Sequence, residues 1–321
     1  MKVTKDMLHK DLQPHYNSLF FLSIMFKYKW SAKLTGKLFN VMYKGKDIEG
    51  LNCDEVFIPR SKEDHKIRAR VYRPLEQEGK LPVMLYTHGG GLIFGNPEMC
   101  EKPIKKFIET RPCVVVAPDY RKAFTEPYPA GFNDCYDTLL WIKENAEELG
   151  IDPDKVIIAG HSAGGGLAAA VTLKARDTQD VKVAFQMPFY PMIDDRQPND
   201  PAREILGPGW DTRLNRLGWN SYLANLHKEG KEIPAYASPA RNTDYSGFPP
   251  TITFVGTLEP FYHETVRYVE GLKKANVDVA FKEYEGCVHS FEDFAETDIG
   301  NDALDFTFTS YAEFYDKYIA D

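Results

Sequence analysis

Along the first 52 residues apolar side chains recur at helical intervals. Phe20, Ile24 and Tyr28 fall every fourth residue, which predicts one stripe of an amphipathic helix, either packed on a core or forming part of a lid. From Glu55 the period shortens to two: Ile67, Ala69 and Val71 alternate with Arg68 and Arg70, and with Glu55 to Ile58 they predict a half-solvated antiparallel hairpin. Leu81 to Thr87, Cys113 to Ala117, Val156 to Ala159, Val181 to Met187 and Thr251 to Val255 are short runs rich in apolar residues, as in strands covered on both faces. Helical patterns separate them. Asn133 or Asp134 is the predicted N-cap of a helix ending at Leu149 and Gly150, Leu167 to Leu173 continues helically, and Pro260 to Ala275 follows with Pro260 at the first helical position. A last strand over Val277 to Tyr284 and a closing helix over Asn301 to Tyr318 complete the pattern. Alternation of this kind predicts an α/β fold: a mostly parallel central sheet with helices on both faces.

Regularity lapses between Asp194 and Asp244, where five prolines accompany Trp210, Trp219 and Tyr222 and one helix is predicted over Asp211 to Leu226. This segment is read as an insertion, giving three parts: an N-terminal helical segment over 1–52, a catalytic domain over 53–193 and 245–321, and an inserted cap segment over 194–244.

Composition narrows the function. A net charge of -8 argues against a nucleic-acid partner, which needs a clustered basic face. Five widely spaced cysteines with no C-x-x-C pair form neither a disulfide framework nor a zinc site, and fit a reducing, cytoplasmic compartment. The N-terminal apolar run Leu19 to Phe26 is too short to span a bilayer and lacks the basic start and small-residue cleavage site of a secretory signal.

The chemistry-bearing stretch is Val156 to Ala170. Gly160, Ser162 and Gly164 form G-x-S-x-G between a predicted strand and a predicted helix, read either as a tight βα turn or as a nucleophile elbow that exposes the Ser162 hydroxyl. A serine nucleophile needs oxyanion donors, a base and a group to orient that base. His88-Gly89-Gly90-Gly91 follows a buried strand, so the N–H groups of Gly90 and Gly91, with that of Ala163 after the serine, are candidate donors. Among eight histidines, His289 lies just past the last strand and is the candidate base; His161 is expected to point away from Ser162. Glu259 follows the strand Thr251 to Val255 and completes the chain order Ser, acid, His; Glu264, Asp278 and Asp293 are rivals, of which Glu264, inside a helix, and Asp278, at a strand's start, rank lower and are otherwise solvated carboxylates. No H-E-x-x-H, no Walker lysine and no G-x-G-x-x-G is present, so neither a metal nor an organic cofactor is expected.

His88 to Gly91, Asp119-Tyr120-Arg121, Tyr128-Pro129-Ala130, Gly160 to Gly165, Ser238-Pro239-Ala240-Arg241, Phe248-Pro249-Pro250 and His289-Ser290-Phe291 together resemble the hormone-sensitive-lipase-like, HGGG-motif family of α/β-hydrolase esterases. The resemblance implies the α/β-hydrolase fold with a two-part helical cap, Ser162 as nucleophile, His289 as base, and Gly90, Gly91 and Ala163 as oxyanion hole. Two positions depart from the family: Glu259 stands where it usually has Asp, and His161 where it often has Asp. Its usual Asp-Glu pair further on is here His263-Glu264.

The expected activity is hydrolysis of small, short-acyl carboxylic esters through an acyl-enzyme. Lactone or amide hydrolysis at the same residues, or a non-catalytic small-molecule receptor on the same fold, are the alternatives. Phe94, Trp210, Trp219 and Tyr222 are expected either to wall the substrate cavity or to pack in the core. The partner is then a small ester, with no nucleic acid and no stable membrane insertion. Homodimerisation through the edge strand near Val279 to Tyr284 is a further implication of the resemblance.

Overall fold

Helices α1 (Tyr16–Met25) and α2 (Lys29–Tyr43) come first in the computed structural model, which describes residues 1–26, 28–61 and 65–320. The side chains of Leu22, Ile24 and Met25 are outside that description, and with them the Ile24 position of the N-terminal stripe. Next come β1 (Leu51–Pro59), β2 (Lys66–Pro74), β3 (Leu81–Thr87), α3 (Glu101–Thr110) and β4 (Val114–Pro118). They are followed by α4 (Ala130–Glu144), α5 (Ala146–Leu149), β5 (Ile151–His161), α6 (Ala163–Thr178) and β6 (Val183–Phe189). Helices α7 (Thr212–Tyr222) and α8 (Ala224–Lys228) precede β7 (Thr251–Gly256), α9 (Tyr262–Lys274), β8 (Val279–Tyr284) and α10 (Asp298–Tyr318).

Among the described residues the strands form one sheet in the order β1-β2-β4-β3-β5-β6-β7-β8. β1 and β2 pair antiparallel, β2 meets β4 antiparallel, and from β4 to β8 every pairing is parallel. Period two explains why the central strands read as unbroken apolar runs. Val83 and Leu85 of β3 face a core with Leu139 of α4 and Leu167 of α6, while Met84 and Tyr86 face one with Phe107 of α3 and Tyr311 of α10. Each such side chain is withdrawn from water, stabilising the fold by about 1.5–3 kcal/mol.

Several predicted boundaries move, for local reasons. α4 begins at Ala130, not at Asn133 or Asp134. Asp134 is no cap: its buried carboxylate accepts from the Arg121 backbone N–H at 2.9 Å and from Arg60 Nε at 3.0 Å. The helix is interrupted at Asn145, whose Nδ2 donates to Trp141 O at 2.8 Å, before Gly150 closes α5 at φ 67°. α9 starts at Tyr262, so Pro260 precedes the helix. The predicted helix over Asp211 to Leu226 is two helices, and Asp211 caps the first by accepting from Arg213 and Leu214 N–H at 2.9 and 3.1 Å.

The N-terminal segment is tied to the irregular stretch before α7. Val3 N–H donates to Leu206 O at 2.7 Å, and Gly209 N–H donates to Leu19 O at 3.0 Å. Both segments therefore meet over the C-terminal ends of the parallel strands, where Ser162 and His289 also lie.

Candidate active site

Ser162 sits between β5 and α6 at φ 59°, ψ -124°, a backbone conformation that non-glycine residues adopt only under constraint. The constraint is close packing. A Cβ on Gly164 would lie 2.0 Å from Thr87 O, so the end of β3 reaches the elbow only because that position is glycine. Thr87 Oγ1 donates to Gly164 O at 2.7 Å, and Ser162 N–H donates to Phe189 O at 3.0 Å, fixing the turn from both neighbouring strands.

His289 follows β8 and brings its Nε2 to 2.8 Å from Ser162 Oγ. Its Nδ1 lies 2.5 Å from Glu259 Oε2. An ionised carboxylate can only accept, so Nδ1 carries the proton and Nε2 is left to accept from the serine hydroxyl. Glu259 Oε1 meanwhile accepts from Gly256 N–H at 2.9 Å. The side chain folds back on its own strand end, which absorbs the methylene that Asp would lack. All three residues are buried, with exposures of 5% for Ser162, 8% for His289 and 1% for Glu259.

The rivals for the acid go elsewhere. Asp278 pairs with Lys317 at 2.8 Å, and Asp293 lines the cavity without facing Nδ1. Glu264 is not the solvated carboxylate expected of it: it is buried, and its Oε1 accepts from Ile193 and Asp194 N–H at 2.7 and 3.1 Å. Burial, with the neighbouring Asp194 charge, pushes its carboxyl well above the usual range.

Gly90 and Gly91 follow β3 with φ of 113° and 57°. Their N–H groups donate to no protein acceptor among the described residues, and Ala163 heads α6, where an N–H has no intrahelical partner. The loop is held by histidines. His88 stacks on Tyr120 with ring centroids 4.1 Å apart, and its Nδ1 lies 2.7 Å from Gly89 O. Burial, then the nearby Lys122 charge, keeps His88 neutral, its pKa well below the ordinary value.

His161 lines the cavity and supports the donor loop, accepting from Gly89 N–H at Nε2 (3.3 Å) with Nδ1 3.2 Å from Tyr86 OH. Burial, with the positive charge His289 can carry, lowers its pKa from 6.5 to about 4. The sequence reading missed this support of the donor loop, although His161 stands where the resemblance put a departure.

A cavity of about 660 Å³ opens on Ser162. Phe94 and Trp210 line it with Phe26, Leu214 and Tyr190. Trp219 and Tyr222 do not: they are buried in the core, where Tyr222 meets Tyr128 edge-on at 5.5 Å. Their spacing on an amphipathic helix turned them inward. The cavity also exposes a pair the sequence reading passed over, Tyr190 and Glu292. Tyr190 OH donates to Glu292 Oε1, and the Tyr190 ring stands edge-on to His289 at 5.0 Å. Burial, with Asp293 beside it, pushes Glu292 up to about 8. Its place directly after His289-Ser290-Phe291 was the available signal.

Among the described residues no cluster of His, Cys, Asp and Glu is arranged to hold a metal ion, and no helix is long and apolar enough to cross a membrane. A family model described as alpha/beta hydrolase fold matches residues 84–293. The chain belongs to the α/β-hydrolase family. Within it, the motifs above put this hydrolase in the hormone-sensitive-lipase-like group. It is 35% identical over 237 residues to carboxylesterase NlhH of Mycobacterium tuberculosis, covering 71% of this chain and 72% of that one. An arylesterase of Saccharolobus solfataricus is 30% identical over 233 residues, covering 71% of the hydrolase and 74% of the relative. A solved bacterial heroin esterase superposes with a TM-score of 0.86 at 29% identity, over 97% of this chain and 99% of that one.

Proposed function

We propose that the chain is a serine carboxylesterase acting on small, short-acyl esters. The observation that carries this reading is the unbroken hydrogen-bonded line from Ser162 Oγ through His289 to Glu259, open to a cavity next to free N–H donors. The carboxylesterase and esterase relatives support it.

In this reading His289 Nε2 takes the proton of Ser162 as Oγ attacks the ester carbonyl. Gly90, Gly91 and Ala163 N–H groups stabilise the oxyanion, and Glu259 holds the imidazole tautomer and balances the imidazolium. The proton passes from Nε2 to the leaving alcohol, and a water deprotonated by His289 then releases the acid from the acyl-enzyme. The segments over 1–52 and 194–244 act as the two parts of a cap. A cavity of about 660 Å³, partly covered by them, favours a compact ester, with room for a bulky alcohol portion, over a triglyceride.

The test is turnover of p-nitrophenyl esters of increasing acyl length by wild type, Ser162→Ala and His289→Ala, alongside a lactone and an anilide. Fastest turnover on short esters, abolished by Ser162→Ala, is expected; a fully active Ser162→Ala protein would refute the mechanism. A homodimer through the β8 edge belongs to the same proposal, with light scattering as its measurement.

A further inference from the structure

Helix α2 turns one side to the protein and leaves the other bare. On the inner side Ala32 and Thr35 are buried, Phe39 packs on Phe94 at 6.2 Å, and a Cβ on Gly36 would come 2.9 Å from Phe94 Cβ. On the outer side Trp30, Leu34, Leu38 and Val41 fall three or four residues apart and are 68%, 63%, 52% and 83% exposed. Single exposed apolar residues are ordinary, but four in line make an unpartnered face.

The charge beside that face is one-sided. From Lys27 to Lys46 the sequence holds six lysines and no Asp or Glu, in a chain whose net charge is -8. At 3.6 residues per turn Lys29, Lys33 and Lys37 form a strip along one border of the apolar stripe. The Lys29 and Lys33 ammonium groups lie 5.5 and 5.6 Å from the Phe124 ring. The described ion pairs engage Lys44, with Asp119, and none of these three lysines.

We propose that α2 seats the protein on an anionic lipid surface, its apolar stripe at the acyl boundary and its lysine strip at the headgroup phosphates. An apolar stripe bordered by lysines has the chemistry of an interfacial helix. A two-fold contact between antiparallel copies would instead bring each lysine strip close to its own counterpart. The docking face and the cavity are two sides of one helix: Phe94, under Gly36 and Phe39, stacks on Phe26 at 4.6 Å, and both line the cavity.

The experiment is co-sedimentation of the full chain with phosphatidylglycerol or phosphatidylcholine vesicles at low and high salt. Wild type is expected to pellet with phosphatidylglycerol, at least fivefold less with phosphatidylcholine, and less as salt screens the lysines, roughly over the Debye length. Leu34→Glu/Val41→Glu, at two exposed positions, is expected to lose vesicle binding about tenfold while hydrolysing a water-soluble ester like wild type. Wild type that stays in the supernatant, or a double variant that pellets equally, overturns the proposal. So does a dimer, by light scattering, that the double variant dissolves without any vesicle binding by wild type; that outcome assigns the face to a second copy.

Discussion

Glu259 and His289 meet at 2.5 Å, Oε2 to Nδ1, while the other oxygen of the same carboxylate holds Gly256 N–H at 2.9 Å. One side chain thus ties the imidazole to the end of β7 and fixes which of its nitrogens carries the proton.

That arrangement makes the charge of Glu259 testable apart from its shape. Glu259→Gln is isosteric and keeps an oxygen for Gly256 N–H, but offers an amide where the carboxylate faced Nδ1. The expected loss in kcat is on the order of 10⁴, with thermal stability close to wild type. Steady-state kinetics on a p-nitrophenyl ester measure it, and near-normal kcat would disqualify Glu259 as the acid.

Glu264 offers the converse experiment. Its Oε1 holds Ile193 and Asp194 N–H, both otherwise without a partner in that turn. Glu264→Ala leaves two buried donors unsatisfied and is expected to cost about 2–4 kcal/mol in unfolding free energy. kcat should stay within roughly tenfold of wild type, because Glu264 contacts neither Ser162 nor His289. Urea unfolding and kinetics on the same preparation separate the two; a catalytic collapse without loss of stability would transfer the acid's role to Glu264.

Legibility in the sequence followed locality. That Ser162, His289 and Glu259 would come together was readable because each stands at or just past the end of an apolar run, and strand ends are where an open α/β sheet gathers its side chains. The partners of His161 were not readable, because Tyr86 and Gly89 lie more than seventy residues away in sequence. Trp219 and Tyr222 were left open for a related reason: an aromatic on an amphipathic helix fits a core and a cavity wall equally, and only the packing of Tyr222 on Tyr128 and of Trp219 on Tyr222 decides. Glu264 was read as solvated because its burial is created by the chain at Ile193 and Asp194, a tertiary contact with no local signature.

The donor loop is tested at Gly91. Its φ is 57°, and a Cβ there would come 2.1 Å from the Trp210 ring. Gly91→Ala must displace either the loop or Trp210, and kcat/KM is expected to fall about 10²-fold, the scale of losing one oxyanion donor. Adding Trp210→Ala removes the clash but not the left-handed backbone, which costs roughly 1–2 kcal/mol, so recovery should be partial. Full activity in the single variant would remove Gly91 from the oxyanion hole.

His161 gives the chain a defined acid sensitivity. Burial, with the His289 charge, lowers its pKa from 6.5 to about 4, so the folded protein holds it neutral while the unfolded chain protonates it. Between those values the unfolded state binds the extra proton. Stability from this group is therefore complete above pH 6.5 and is lost as pH falls through the window towards 4. The amount at stake is on the order of 3 kcal/mol. His161→Gln supplies an amide oxygen as acceptor for Gly89 N–H in place of Nε2 and removes the titration. Its unfolding free energy is expected to decline less steeply than wild type between pH 6.5 and 4, read from urea midpoints at half-unit steps. Parallel curves for the two proteins would show that His161 is not the group that titrates. A variant that keeps its stability but loses kcat at pH 7 would show instead that the imidazole, beyond its lone pair, is needed to hold the donor loop.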